Sequence, residues 1–165
     1  MKEIWDAYYS DGTKANIDLV RGEPIPDGLY HMVCDISVQH VDGDFLIMRR
    51  SLTKNINPGC LELTAGGSSI KGEDALECIK RELREETGIT ECQITFLNTC
   101  INEQKKSIYY NFYGKVNIDK NSIILQPGET CEYMWKPLNE VLQMYYENKI
   151  LKTSIERRKE LFFKK

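Results

Sequence analysis

An α/β fold, with a mixed sheet covered by helices on both faces, is predicted by three features of this 165-residue sequence. β-branched and apolar runs bounded by turn signals recur before and after one helical stretch. That stretch returns its apolar residues at helical spacing, and the C-terminal segment resumes the same periodicity. The length suits one domain with one closed core.

The elements follow in order. In "EIWDAYYSDGTKANIDLVRGEPIP" two strand-like runs flank the turn signal Ser10-Asp11-Gly12, which predicts an N-terminal hairpin. "LYHMVCDISVQHVDGDFLIMRR" places apolar and β-branched residues on either side of Asp42-Gly43-Asp44 and reads as a second hairpin, in the core. "SLTKNINPGC" is a polar loop, and "LELTAGG" is a short strand running into glycines. A helix then begins near Glu73 and ends at Gly88, where glycine favours a left-handed stop. "CQITFLNTCI", "SIYYNFYGKV" and "CEYMWKPL" are three more strands, separated by "NEQKK" and by "DKNSIILQPGE". "LNEVLQMYYENK" and "LKTSIERRKELFF" are helical, the second turning Ile155 and Leu161 or Phe162 inward.

Composition excludes several function classes. With 25 acidic against 22 basic side chains the chain is slightly acidic, so nothing global attracts nucleic acid or an anionic membrane surface. No apolar run approaches the roughly 20 residues that span a bilayer, and "MKEIWDAYYSDG" lacks the apolar centre of a signal peptide, so a cytoplasmic protein is expected. The cysteines Cys34, Cys60, Cys78, Cys92, Cys100 and Cys131 form no C-x-x-C pair and read as small buried thiols.

The helix is unusual in its charge. Glu82, Glu85 and Glu86 share one arc of its surface, beside an apolar arc of Ala75, Leu76, Ile79 and Leu83. Like charges three and four apart weaken a helix, and a divalent cation taking hard oxygen ligands from all three would reverse that term. A solvated charged face is the competing account of the helix by itself. Gly66 and Gly67, just before it, let the backbone approach closely and offer a carbonyl.

The segment fits G-x5-E-x7-R-E-(apolar)-x-E-E-x-G-(apolar) at Gly67, Glu73, Arg81, Glu82, Leu83, Glu85, Glu86, Gly88 and Ile89, and so resembles the signature box of the Nudix hydrolases. That resemblance implies an α/β/α sandwich and a single Nudix domain over residues 1–165, with 1–28 a hairpin extension and 29–165 a catalytic core. It further implies that Glu82, Glu85, Glu86 and the Gly66 carbonyl hold Mg2+ or Mn2+, while Arg81 orients the carboxylates and Gly67, Glu73 and Gly88 shape the loop. The implied activity is attack by water on a diphosphate, most readily one belonging to a nucleotide. Glu85, Glu86 or the loop residue Glu129 is the candidate base, with Glu132 and Glu103 weaker choices.

The wider stretch from Arg21 to Ser68 is similar to the isopentenyl diphosphate isomerase branch, which offers a rival chemistry. That branch carries a cysteine and then a Gly-His pair where this chain has Thr64, Ala65 and Ser68; Cys60 lies too early, and His31 alone matches a histidine there. A nucleotide-binding module without turnover is the other alternative, although such members lose box glutamates and none is lost here. Arg49, Arg50 and Lys54 could receive a phosphate or simply solvate the surface. Tyr109, Tyr110, Phe112 and Tyr113 alternate between sheet faces, so one set could stack on a base or pack the core. Trp5, Tyr8 and Tyr9 suggest a homodimer through residues 3–20, or packing onto their own chain.

Overall fold

The computed structural model describes residues 2–163. The chain begins with an antiparallel hairpin, β1 (Ile4–Tyr8) and β2 (Lys14–Val20), and enters the main sheet at β3 (His31–His40) and β4 (Phe45–Arg50). Short strands β5 (Leu61–Glu62) and β6 (Ala65–Ser68) lead into helix α1 (Ala75–Thr87). Strands β7 (Gln93–Asn102), β8 (Ser107–Val116) and β9 (Thr130–Lys136) precede helices α2 (Leu138–Tyr146), α3 (Lys152–Glu156) and α4 (Lys159–Phe162).

The main sheet runs β5-β4-β3-β8-β7, with β6 also pairing β3 and β9 also pairing β4. It is mixed because β3 and β8 are parallel over their whole length, from His31↔Ser107 to His40↔Val116, whereas β6, β9 and β7 pair antiparallel. Alternation along β4 shows how two layers form from one strand. Leu46 and Met48 face the helix α1 side and pack with Cys78, Ile79 and Leu83; Phe45 and Ile47 face the other way and pack with Val141, Ile155 and Phe162 of α2, α3 and α4. Each such buried side chain contributes about 1.5–3 kcal/mol, so both helical layers are held by the same central strands. The result is the expected α/β/α sandwich.

Several expectations need correction. "LELTAGG" is not one strand: β5 pairs β4 through Met48↔Glu62, and the chain then bends so that β6, glycines included, pairs β3 from Val33↔Ser68 to Ile36↔Ala65. Helix α1 starts at Ala75 because Asp74 caps it, accepting from the Glu77 N–H at 2.8 Å while the Glu77 carboxylate accepts from the Asp74 N–H at 2.9 Å. Glu73 is thereby left in the loop. Leu76 leaves the apolar arc and is exposed, its place in the core being taken by Cys78. The last helical stretch breaks at Arg158, whose backbone is not helical and whose buried side chain donates to the carbonyls of Phe112 and Ser154. Ile155 and Phe162 do turn inward, and Leu161 packs partly against them. Cys34 and Cys78 are buried as expected, but Cys131 is exposed on β9.

The hairpin packs onto its own chain. Trp5, Ala7, Leu19 and Leu29 form a small cluster, the Trp5 ring stacks on His31 with centroids 4.2 Å apart, and Tyr8 exchanges backbone hydrogen bonds with Tyr30. Trp5 and Tyr8 are therefore accounted for without a second copy, while Tyr9 stays exposed. Among the described residues no helix is long and apolar enough to cross a membrane.

Candidate active site

The acidic helix is placed by its two ends. The Asp74 capping box fixes the first turn, and Gly88, at φ 75°, closes the last with its N–H on the Arg84 carbonyl. Between them one face of α1 lies against β6, which brings Glu82 and Glu86 under the glycine strand. The Gly66 N–H donates to Glu86 Oε2 at 3.1 Å. A Cβ on Gly67 would stand 2.6 Å from Glu82 Oε1, so no other residue fits there without moving that carboxylate.

Arg81 organises the remaining charges. Its Nε donates to Glu73 Oε1 at 2.6 Å and its Nη2 to Glu73 Oε2 at 2.9 Å and to the Ser68 carbonyl at 3.1 Å. Nη1 reaches Glu82 at 2.7 Å and Glu85 at 3.2 Å. Glu73 also accepts from the Ile70 N–H, so the loop between β6 and α1 folds back onto the helix, as the Glu73–Arg81 pairing requires. Burial works against the Glu73 carboxylate, yet the Arg81 hydrogen bond holds it below its ordinary range.

Glu82 and Glu86 are different. Burial raises the Glu82 carboxyl despite Arg81, and burial followed by repulsion from Glu82 raises Glu86 well above the usual carboxylate value. Half-buried Glu82 and buried Glu86 are thus both pushed toward their neutral forms, and only Glu82 has a cationic partner, Arg81. Among the described residues no three His, Cys, Asp or Glu side chains are already gathered as a metal cage. The geometry explains why: Arg81 draws Glu82 and Glu85 to one side, and Gly66 holds Glu86 on the other.

These groups floor a cleft with two lobes that share Gly66, Glu86, Lys54, Lys105, Tyr109 and Glu129. The larger lobe, about 440 Å3, also takes in His31, Ser68, Arg81, Glu82, Glu85 and Gln126. The smaller, about 240 Å3, takes in Asp35, Arg50, Glu62 and Arg157. Of the expected phosphate ligands, Arg50 and Lys54 line the cleft. Arg49 does not: it donates to Glu132 at 2.5 Å and to the Gly59 carbonyl at 2.9 Å on the outer edge. Glu129 reaches the cleft paired with Lys54, whereas Glu132 is held by Arg49 and Glu103 accepts from the Tyr30 hydroxyl, neither lining a lobe.

Of the two readings of the β8 aromatics, packing of the core is the one the structure shows for Tyr110, Phe112 and Tyr113. Tyr110 and Phe112 belong to the α1-side core and Tyr113 packs toward the other. Tyr109 reaches the cleft, but the Arg157 guanidinium covers its ring at 3.5 Å. His31 is buried, accepting or donating to the Ser107 hydroxyl at 2.6 Å, and burial followed by Arg21 lowers it to about 4, so it is neutral at pH 7. Ala65 and Ser68 lie on β6, Thr64 precedes it in the bend and lines the smaller lobe, and Cys60 lines neither lobe.

Asp35, Glu62, Lys105 and Arg157 were not singled out from the sequence. Asp35 and Glu62 interrupt otherwise apolar strands, and a charge in such a run was the available sign. Burial pushes Glu62 up to about 7 with Arg50, at 3.0 Å, opposing. Arg157 arrives only through the fold-back of α3, which local pattern does not encode.

A family model described as the NUDIX domain matches residues 30–157. An uncharacterized Nudix hydrolase of Listeria innocua is 32% identical over 88 residues, covering 53% of this chain and 52% of that protein, so the chain spans about half the length of the curated relative it matches. The crystal structure of DR0079 from Deinococcus radiodurans superposes with a TM-score of 0.76 at 19% identity, covering 95% of this chain and 98% of that one. The MutT protein from Methanosarcina mazei superposes with a TM-score of 0.63 at 29% identity, over 82% and 96%. With the glutamates, glycines and arginine of the box meeting at one floor, and a domain match over most of the sequence, the chain belongs to the Nudix family.

Proposed function

We propose that this chain is a pyrophosphohydrolase that cleaves a phosphoanhydride in a nucleoside diphosphate linked to another moiety, using Mg2+ or Mn2+. The observation that supports it most is the convergence of half-buried Glu82 and buried Glu86, both with raised carboxyls, beneath Gly66 and Gly67 on the floor of a cleft lined by Arg50, Lys54 and Lys105. The donors, three carboxylates and the Gly66 carbonyl, are all hard oxygens and fit either cation. When bound, the metal would neutralise phosphoryl oxygens and acidify water. Glu82, Glu85, Glu86 and the Gly66 carbonyl would hold it, and Arg81, bonded to Glu73 through Nε and Nη2, would keep the loop in place.

The chain's own groups do the rest. Glu85, Glu86 or Glu129 takes the proton of the attacking water; Glu129 can do so once it leaves Lys54, which is then free for a phosphate oxygen. The larger lobe has the volume to hold a nucleoside. Residues 1–28 act as an extension on a domain of 29–165, in a cytoplasmic protein; a homodimer through the hairpin would rest on the exposed Tyr9 and Ile17 and is read by light scattering. The test of the reaction is hydrolysis of a nucleotide panel in water labelled with heavy oxygen. Label should enter a phosphate-containing product, with turnover lost on chelation. No turnover across the panel points to a binding module, and isomerised isopentenyl diphosphate without labelled phosphate points to the isomerase chemistry.

A further inference from the structure

The N-terminal hairpin touches the loop before α1 as well as the sheet. Its strands β1 and β2 lie outside residues 30–157, the span matched by the family model. On one side Tyr8 exchanges backbone hydrogen bonds with Tyr30. On the other, contacts fall on the two residues just before Glu73. The Lys71 N–H donates to the Ile4 carbonyl at 2.8 Å, the Gly72 N–H donates to Asp6 Oδ2 at 2.8 Å, and Lys71 Nζ pairs with Asp18 at 2.6 Å. Glu3 and Arg21, at the open end of the same hairpin, line the larger lobe.

The charges of the hairpin match this contact. Asp6 and Asp18 stand directly opposite each other across β1 and β2, a pairing of like charges that weakens a hairpin by itself. Each has partners that offset the repulsion: Gly72 and Lys14 for Asp6, Lys71 for Asp18. Burial opposes the Asp6 carboxylate, yet Lys14 and the Gly72 N–H hold it below its ordinary range. The Asp6 side chain is only 16% exposed, whereas both members of the Lys71–Asp18 pair are more than half exposed, so that pair contributes little.

Gly72 leads directly into Glu73, which accepts from two nitrogens of Arg81, and Arg81 in turn holds Glu82 and Glu85. We propose that Asp6 is a positioning residue of the active site: by holding the Gly72 N–H it fixes Glu73, and so sets where Arg81 places Glu82 and Glu85 for a metal ion. The loop is braced from two sides, by Arg81 on the helix and by Asp6 on the hairpin. The consequence for metal rests on the hydrolase reading given above; the bracing of Arg81 does not.

The test reads the metal-free chain and the metal separately. Exchange of the Arg81 Nε–H with water is followed by NMR without metal, Mn2+ binding by electron paramagnetic resonance without substrate, and nucleotide hydrolysis beside them. The chains compared are the wild type, Asp6→Ala, Asp6→Asn and Asp18→Asn, each held below its melting temperature. In Asp6→Ala the Arg81 proton should exchange about tenfold faster and Mn2+ should bind about tenfold more weakly, the loss of one charge-assisted hydrogen bond. Asp6→Asn keeps an oxygen for Gly72 and should recover most of both, and Asp18→Asn should match the wild type. Wild-type exchange and Mn2+ affinity in Asp6→Ala, even at a lower melting temperature, overturn the positioning role and leave the hydrolase reading intact. Equal losses in Asp18→Asn and Asp6→Ala also overturn it, because they would come from a loosened hairpin. Exchange and Mn2+ binding that depend on Asp6 in a chain that cleaves no nucleotide support the positioning role and sink the hydrolase reading instead.

Discussion

Arg81 grips Glu73 through two parallel hydrogen bonds, Nε to Oε1 at 2.6 Å and Nη2 to Oε2 at 2.9 Å, with its remaining nitrogen on Glu82 and Glu85. One side chain thus ties the loop to the helix and sets where two carboxylates rest.

Lysine cannot reproduce that fork. Arg81→Lys should lose about 1–3 kcal/mol of stability, read as a fall in Tm, because a partly buried bidentate pair is reduced to a point contact. Turnover should fall further than stability does, since Glu82 and Glu85 lose their common anchor. An unchanged Tm would mean that the loop is held by its backbone bonds alone.

Gly67→Ala separates function from stability. The added Cβ meets the Glu82 carboxylate, the far end of a side chain that can swing away, so Tm should move by less than about 1 kcal/mol equivalent. Moving that carboxylate should lower kcat by about a hundredfold, as expected when a reacting constellation shifts by an ångström. Steady-state kinetics beside thermal melting decides it; wild-type kcat removes Glu82 from the site.

Glu86 sets a pH dependence in the metal-free chain. Its folded-state value lies above the ordinary 4.5, so the folded protein keeps a proton that the unfolded chain releases. This group's contribution to stability is therefore fully present below 4.5 and is lost as pH rises from there through the raised folded value. Glu86→Gln should flatten this fall and melt above wild type at pH 8 in chelator. Saturating Mg2+ should reverse the order, since a ligand at a hundred times its Kd adds about 2.7 kcal/mol to the form that binds it. A variant that melts below wild type at pH 8 without metal contradicts the assignment of Glu86 as an uncompensated buried carboxylate.

Trp5 covers one face of His31. The indole stacks on His31 with centroids 4.2 Å apart and so helps to bury it, and burial followed by Arg21 lowers the imidazole from 6.5 to about 4. Between those values the unfolded chain takes up a proton that the folded chain refuses, so this group's contribution is present above 6.5 and is lost as pH falls toward 4. Trp5→Ala should cost about 3 kcal/mol and move the imidazole back toward 6.5, followed by NMR. An unmoved His31 would trace its shift to Arg21 and the sheet instead.

The box and most strands were legible because their information is local: the continuous apolar run of "FLIMRR", turn signals at Asp42-Gly43-Asp44, and fixed offsets from Gly67 to Ile89. The helix start was displaced by two residues because Asp74 and Glu77 compete successfully for the cap. The bend that divides "LELTAGG" was hidden, since it reflects pairing with two different partners, β4 and β3, rather than any residue in the run. Arg157 and Lys105 were missed for the same reason. They reach the cleft from positions remote in the chain, and only the fold brings the tip of one hairpin and the end of α3 beside Glu86.

The parallel pairing of β3 with β8 joins segments 76 residues apart, as the contact between His31 and Ser107 marks. During synthesis β3 can meet β4 and β6 early but must wait until Ser107–Val116 has been made before its remaining edge is covered. Until then an apolar strand presents unpaired N–H and C=O groups to its surroundings. Contacts this distant in sequence slow folding, so refolding from denaturant belongs in the millisecond-to-second range. Docking of β8 closes that edge, so a growing chain stopped short of Ser107 should aggregate more readily than one extended past Val116.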